Sequence, residues 1–305
     1  MLDSIAEILI FGIQRGAVFS LVGLGLALVY KSTKVLNFAQ GELGTIPAFV
    51  AYLVMTGFAH GDDAEVNKGL FVPAALVAIV VGAALGVVLY LVVIRKLGAA
   101  SAATTLVATA GVALLATSVE LNVFEAKVRR FPRPVSGGFR LTGTDVIVEY
   151  HTIVILAVLC VVAFALAVFF RSQAGVALLA TAQDPYAAEL QGVPVERMRA
   201  LAWGAAGALA GIAGVLGAGV FENLRPGLMT SDFLIPAFIG VVLGGITSMV
   251  GAVVGGFLLG IVSAAAIEIV TTFELDVPGP PQLAVMVVLL AVLLLRPRGL
   301  FGEAA

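Results

Sequence analysis

The sequence predicts an all-α polytopic membrane protein, a bundle of about eight or nine transmembrane helices without a soluble domain. Apolar residues make up 61% of the chain and charged residues only 12%, whereas soluble domains average about 45–50% and about 25%. A soluble protein of 305 residues must keep a large polar surface, which so few charges cannot supply. Lipid is therefore the expected solvent.

Hydrophobic runs recur along the chain, and a helix needs about 20 apolar residues to cross a bilayer core of about 30 Å. The predicted spans are 8–29, 43–57, 71–94, 103–124, 152–170, 201–221, 249–271 and 282–295. A glycine-rich stretch at 232–246 either crosses as a ninth span or only re-enters. The acidic start of the chain is unlike a secretory signal peptide, so the first span is expected to be retained. Residues 1–305 form one transmembrane domain in this prediction.

Basic residues in the connections predict the orientation, because lysine and arginine favour the cytoplasmic side. The set on one predicted side is Lys31, Lys34, Arg95, Lys96, Arg171, Arg197, Arg199, Arg296 and Arg298. The opposite side receives the acidic connection 58–69 with Glu274 and Asp276. We therefore expect the N-terminus outside and the C-terminus in the cytoplasm. The basic 125–151 loop opposes this rule, and we expect it to be a small folded extracytoplasmic cap.

Several function classes are excluded by what the sequence lacks. A net charge of −2 offers no basic field to nucleic acid. Two histidines and the single Cys160 cannot build a metal cluster, a disulfide framework or a Cys/His nucleophile. No Gly-Lys dipeptide occurs, so a Walker A phosphate loop is impossible. The chain is therefore expected to be no enzyme and to carry no cofactor, and any ATP is used by a partner subunit.

Small residues recur at four-residue spacing in the predicted spans. These pairs are Gly12/Gly16, Gly82/Gly86, Gly207/Gly211, Gly240/Gly244, Gly251/Gly255 and Gly256/Gly260. Lipid provides no hydrophobic drive for helix association, so close approach of backbones through small residues replaces it. So many pairs predict a compact bundle.

The segment Asn37–Gly44 interrupts a hydrophobic run with two glycines, and Pro47 follows. Asn37 and Gln40 have the spacing of a capping box, and Glu42 follows the first glycine. A helix N-terminus inside the membrane would suit a substrate carboxylate. The alternative is a simple cytoplasmic turn with its own cap.

Three charged side chains fall within predicted spans, where an ionisable group is costly and usually faces a cavity or a partner. Glu120 is either such a pathway residue or a group at a helix end. Arg15 and Glu268 are expected to extend to the membrane interface.

The stretch 171–200 is the predicted cytoplasmic coupling segment. Asp184 can cap a helix with Pro185 at its first position, and Gly192 can end it. A helix this short is unstable alone, so it needs a surface on which to dock. Ala187 and Ala188, beside Glu189, are small enough for a partner's groove to close around them. The alternative is an amphipathic connector lying on the bilayer.

Five segments together resemble one family. Asn37-Phe38-Ala39-Gln40-Gly41-Glu42 closely resembles the Asn-Phe-Ala-His-Gly-Glu signature of branched-chain amino-acid permeases of ATP-binding-cassette importers, the first of the two paired permeases above all. The other similar segments are Gly23–Tyr30, the Ala180–Gly192 coupling loop, Gly244–Gly256 and the ending Arg296–Gly302. Gln40 stands where the family usually has histidine, and Ser263 where it often has glutamate.

The resemblance implies a permease fold like that of the ribose and vitamin B12 importers, in the inner membrane of a prokaryote. It implies a second related permease, two cytoplasmic ATPases and an extracytoplasmic binding protein as partners. The alternatives are a urea, amide or sugar permease of the same superfamily, and an ion-coupled secondary transporter. Few intramembrane carboxylates argue against the last.

Overall fold

Apolar helices dominate the computed structural model, which describes residues 2–58, 65–98, 100–141, 143–295 and 299–301. Among these residues, seven helices are long and apolar enough to cross a membrane: Asp3–Thr33, Phe38–Met55, Lys68–Leu97, Ala102–Phe124, Tyr150–Arg171, Val195–Phe221 and Met249–Thr272. Two shorter apolar helices are Thr230–Gly244 and Pro280–Val292. The predicted fold class, an α-helical polytopic membrane protein, is confirmed. The helix number across the bilayer and the orientation stay predictions.

The elements follow one another in this order. The helices are α1 Leu2–Thr33, α2 Glu42–Met55, α3 Phe71–Leu89, α4 Arg95–Leu97, α5 Ala102–Phe124, α6 Tyr150–Arg171, α7 Gln173–Gln183, α8 Pro185–Leu190, α9 Val195–Phe221, α10 Ile235–Gly244, α11 Met249–Thr272 and α12 Pro280–Leu295. Short 3₁₀ turns occur at Phe38–Gln40 and Lys68–Leu70, and π-helical segments at Tyr90–Ile94 and Thr230–Leu234. The strands are β1 Arg129–Arg130, β2 Gly138–Arg140, β3 Ile147–Glu149 and β4 Asn223–Leu224.

Helix α1 lies at the centre of the bundle, buried from Gly16 to Val29. It packs on α11, α9 and α10. A helix that is apolar all round is expected to be buried on all sides, and α1 meets that condition through most of its length.

The predicted glycine pairs lie where helices cross. Gly82 and Gly86 of α3 face the backbone of α9, and Gly240 and Gly244 of α10 face the backbone of α11. A Cβ atom at Gly82, Gly86 or Gly244 would collide with a main-chain atom opposite, and one at Gly240 would lie only 3.0 Å from the backbone of α11. Backbone contact of this kind is how small residues replace the hydrophobic drive that lipid removes.

The two ends of the bundle differ in structure. At one, here named the connector end, lie α7 and α8; Lys31 Nζ donates to Thr247 O (3.4 Å), and Arg95 pairs with Glu196 (2.8 Å). The seven described members of the predicted cytoplasmic basic set lie at this end, whereas Arg296 and Arg298 fall outside the described residues.

At the other end, here named the hairpin end, the 125–151 loop is folded into short strands. Strand β1 pairs antiparallel with β4, and β2 pairs antiparallel with β3. Arg133 bonds Glu149 (2.6 Å) and Glu222 (3.2 Å), which joins the loop to the end of α9. The loop thus forms a small folded cap, and the side of the membrane that it faces stays a prediction.

Several helices differ from the predicted spans, and α1 is longer at both ends, Leu2–Thr33 against 8–29. α2 starts at Glu42 and is only 14 residues long, so the short span predicted at 43–57 is genuinely short. α9 starts at Val195, six positions before the prediction, because nothing after Pro194 breaks its helix. The stretch 171–200 also contains α7, which the sequence reading missed.

Candidate translocation and coupling sites

The Asn37–Glu42 motif lies inside the bundle and not on its surface. After α1 ends, Lys34 takes a positive φ of 57° and the chain turns back along α1. The side chains of Asn37, Gln40 and Glu42 are each 1% exposed. The segment is therefore a buried turn, and the choice between a substrate-pathway role and a simple cytoplasmic turn stays open.

Polar contacts of this motif attach the non-helical stretch between α1 and α2 to the centre of the bundle. Asn37 Oδ1 accepts from Ala39 N (3.1 Å), and Asn37 Nδ2 donates to Gln40 Oε1 (3.1 Å). Gln40 Nε2 donates to the carbonyl of Ala206 on α9 (2.9 Å). Asn37 therefore caps the 3₁₀ turn, while Gln40 ties that turn to a helix 166 positions later in the chain.

Two buried carboxyl groups lie together beside the start of α2. Thr117 Oγ1 donates to Glu42 Oε1 (2.9 Å), and the backbone N–H of Gly227 donates to Glu120 Oε2 (2.9 Å). Glu120 is 2% exposed, and the two carboxyl groups are close enough to interact directly. Apart from this contact between the two carboxyl groups, Glu42 Oε2 and Glu120 Oε1 are buried and receive no hydrogen bond from another described residue.

The structure thus brings all four predicted pathway residues to one region, as two separate contacts. Asn37 and Gln40 have bonded partners, whereas Glu42 and Glu120 each keep one oxygen that receives no hydrogen bond from a third described residue. Sequence reasoning missed Thr117 and Gly227. The spacing of Thr117 and Glu120 on one helix face could have identified the first. No local signal identifies Gly227.

The predicted coupling helix is present as α8, capped as the sequence indicated. Asp184 Oδ1 accepts from Ala187 N (3.0 Å), and Pro185 is the first helical residue. The helix ends at Leu190, and Gly192 takes a positive φ of 79° while Val193 N donates back to Ala188 O (3.0 Å). These contacts confirm both predicted caps.

The outer face of α8 differs in part from the predicted one. Ala187 and Glu189 are exposed, but Ala188 is only 5% exposed because it turns toward the bundle. The prominent exposed side chains are Tyr186 (72%) and Leu190 (69%). These two side chains form the apolar part of the exposed face of α8.

The chain matches the family model described as "Branched-chain amino acid transport system / permease component" over residues 8–296. It is 31% identical to the high-affinity branched-chain amino acid transport system permease protein BraD of Pseudomonas aeruginosa, with 97% of this chain and 95% of that protein covered.

Other relatives carry similar names. The permease protein LivH of Escherichia coli K12 is 29% identical, with 96% of this chain and 94% of that protein covered. A probable LivH of Methanocaldococcus jannaschii is 26% identical, with 92% and 88% covered.

One solved structure has a similar fold. It is PsaBC from Streptococcus pneumoniae in complex with Fab, with a TM-score of 0.50 and 14% identity, covering 97% of this chain and 92% of that one. This likeness concerns the arrangement of helices alone.

Proposed function

The chain belongs to the family of permease components of branched-chain amino acid transport systems, and on that premise we propose that it moves such amino acids across a prokaryotic cytoplasmic membrane. Its task is to form part of the pathway, without catalysis of its own. The substrate assignment rests on the names of relatives that match nearly the full chain.

The proposed complex contains four further subunits: a second related permease, two ATPases in the cytoplasm and an extracytoplasmic binding protein. The single observation that carries this proposal is α8, an exposed six-residue helix that is too short to be stable without a surface to dock on. Tyr186 and Leu190 supply its apolar contact face, and ATP is bound by the partners.

The proposed pathway lies beside the break between α1 and α2. Asn37 and Gln40 hold the break in position, and Glu42 and Glu120 nearby each offer one carboxyl oxygen that receives no hydrogen bond from a third described residue. Buried polar groups without partners inside a membrane are costly and are retained mainly for function. Substituting each of the four should lower transport while leaving assembly of the complex intact.

Coupling is tested by cross-linking in the assembled complex. Cysteines at Tyr186 and Leu190, in a Cys160→Ala background, should join to an ATPase subunit. A cysteine at Ala188 is the matched control, because that side chain faces inward. Labelling of the outer positions by lipid-phase probes alone, with no ATPase product, would favour the membrane-surface connector.

Transport itself is tested in proteoliposomes. The full complex with its binding protein should take up leucine, isoleucine or valine only when ATP is present on the side of the membrane that carries the ATPases. The isolated permease should take up none. Uptake of urea, amides or sugars in place of these amino acids would show that the proposed substrate class is wrong. Uptake by the isolated chain, driven by an ion gradient, would show that the protein is a secondary transporter and not a subunit of an ATP-driven importer.

A further inference from the structure

A cavity of about 460 Å³ lies between α1, the π-helical segment Thr230–Leu234, α10, α11 and α12, near the hairpin end of the bundle, and Phe221 at the end of α9 also lines it. Its polar lining includes Arg15, Asp232 and Ser263, and its apolar walls include Phe19, Ile267 and Val285. Binding cavities for small molecules span roughly 300–1,000 Å³ and combine apolar walls with a few polar groups. This cavity has both properties.

Arg15 is a charge in this cavity without a direct ion pair: Asp232 lines the same cavity and attracts it, but the carboxylate of Asp232 is bonded to Arg225. Its guanidinium lies over the ring of Phe221, 5.3 Å from the centroid, and it makes no hydrogen bond or ion pair among the residues that the structure describes. The side chain lines the cavity, and its expected extension to the membrane interface stays a prediction. A partly buried cation without a direct hydrogen-bonded anion is costly, and the carboxylate of a bound ligand would compensate it.

Asp232 and Ser263 add a carboxylate and a hydroxyl to the polar lining of the cavity. Asp232 Oδ2 accepts from Arg225 Nη2 (2.6 Å), which orients the carboxylate at the cavity wall. Ser263 is 2% exposed, and its buried hydroxyl has no hydrogen-bond partner among the described residues. A buried hydroxyl without a partner carries a desolvation cost, which a hydrogen bond from a bound ligand would offset.

We infer that this cavity binds the zwitterionic head of an α-amino acid whose side chain is aliphatic. The substrate carboxylate meets Arg15, the ammonium group meets Asp232, and the side chain lies on the apolar wall. Arginine suits this task because its planar fork binds carboxylates through two parallel hydrogen bonds. The inference rests on the proposed function and makes Arg15 a binding residue for the transported molecule.

The same cation could instead bind the phosphate of a lipid headgroup. Asp232 favours the amino acid, because a carboxylate beside the site repels a phosphate and attracts an ammonium group. The two sources differ in a measurable way, since leucine competes for an amino-acid site, whereas anionic lipid occupies a headgroup site without leucine.

The test follows the reactivity of a thiol at the rim of the cavity. Gln282 is exposed and lines the cavity, so Gln282→Cys in a Cys160→Ala background is labelled with a maleimide in the whole complex, held in phosphatidylcholine nanodiscs. Leucine should slow labelling of this chain. Leucinamide, which lacks the carboxylate, and 4-methyl-2-oxopentanoate, which lacks the ammonium group, should protect much less.

Arg15→Met should raise the leucine concentration needed for protection by about tenfold or more, the loss expected for one charge-assisted hydrogen bond. Arg15→Lys should retain part of the protection, which guards against a variant that merely misfolds. Arg140→Met is the matched control, because Arg140 forms an exposed ion pair with Asp145.

Equal protection of the unmodified protein and Arg15→Met would overturn the inference. So would slower labelling caused by phosphatidylglycerol alone, with leucine ineffective. Equal protection by the oxo acid would remove Asp232 from the site. None of these results touches the proposed function, which fails only if the unmodified complex shows no ATP-driven uptake of branched-chain amino acids.

Discussion

Buried polar side chains are the residues whose partners matter most in this molecule, because lipid offers no replacement for a lost hydrogen bond. Asn37 and Gln40 are bonded to each other and to the backbone of α9. Apart from the contact between their carboxyl groups, Glu42 and Glu120 are bonded on one oxygen only. The first pair therefore contributes to stability, whereas the second pair leaves bonding capacity unused.

Replacing Glu120 tests this difference. Glu120→Gln keeps an oxygen for the N–H of Gly227 and adds an amide donor for the second oxygen of Glu42, so the thermal midpoint in detergent should be unchanged or higher. Glu120→Leu leaves that N–H without an acceptor and should lower the free energy of unfolding by about 1–3 kcal/mol.

The matched control is Glu65, which is exposed, so Glu65→Gln and Glu65→Leu should both leave the midpoint nearly unchanged. Equal midpoints for Glu120→Gln and Glu120→Leu would mean that the Gly227 bond does not stabilise the fold.

Local contacts at the residue scale were predictable, and distant ones were not. The spacing of Asn37 and Gln40, and the order of Asp184 and Pro185, follow from rules that act over three or four residues. The Ala206 carbonyl and the Gly227 N–H reach their partners through folding of the whole chain. One sequence without such contact information cannot identify them.

Helix crossings through glycine are the main device at the scale of elements. Gly255 of α11 lies against Gly240 of α10, and a Cβ atom at Gly255 would meet the Gly240 carbonyl. Backbone on both sides leaves no flexible side chain to move aside. These helices therefore tolerate no added volume at this point.

Gly255→Ala should accordingly lower the thermal midpoint, with a cost of about 1–3 kcal/mol typical of overpacking. Gly111 on α5 is the matched control, because a Cβ atom there would meet nothing within 4 Å. Gly111→Ala should be neutral or stabilising, since alanine favours helix by about 1 kcal/mol over glycine. Equal effects of the two changes would mean that the α10–α11 crossing is looser than the structure indicates.

Element positions were largely predictable from hydropathy, whereas elements outside the apolar runs were not. Apolar runs of sufficient length predicted α5, α6 and α11 to within two residues at each end. Helix α7 is missing from the prediction because it lies outside the apolar runs and is held by contacts with α1, α6 and α9. Packing, not composition, determines that element.

At the scale of the whole molecule, the hairpin end and the connector end differ in how their basic residues are arranged. Basic residues of the short connections gather at the connector end, whereas the basic 125–151 loop is folded at the hairpin end with its arginines partly paired. The charge rule is strongest for short loops. We therefore keep the prediction that the connector end faces the cytoplasm.

Thiol labelling in intact cells tests this orientation. In a Cys160→Ala background, Asp145→Cys at the hairpin end should react with a membrane-impermeant maleimide added outside. Gln183→Cys at the connector end should react only after the cells are opened, since both positions are exposed in the bundle. The reverse pattern would invert the topology and move the proposed ATPase contact to the wrong side.

The overall architecture was predictable because lipid allows few solutions: apolar helices that satisfy their own backbones. The cavity lined by Arg15 was not predictable, because α1 meets there elements that lie more than 200 positions later in the chain. A single arginine in an apolar span indicates only that burying the charge costs free energy. The residues around it determine whether the arginine can bind a ligand.

The end of α10 is completed by a segment far downstream. Leu300 N donates to Leu243 O (2.7 Å) and Phe301 N to Gly244 O (3.0 Å). Leu300 and Phe301 are synthesised only after α11 and α12. During translation, the last carbonyls of α10 therefore lack these two backbone donors. The last turn of α10 is therefore completed only once residues 299–301 have been synthesised.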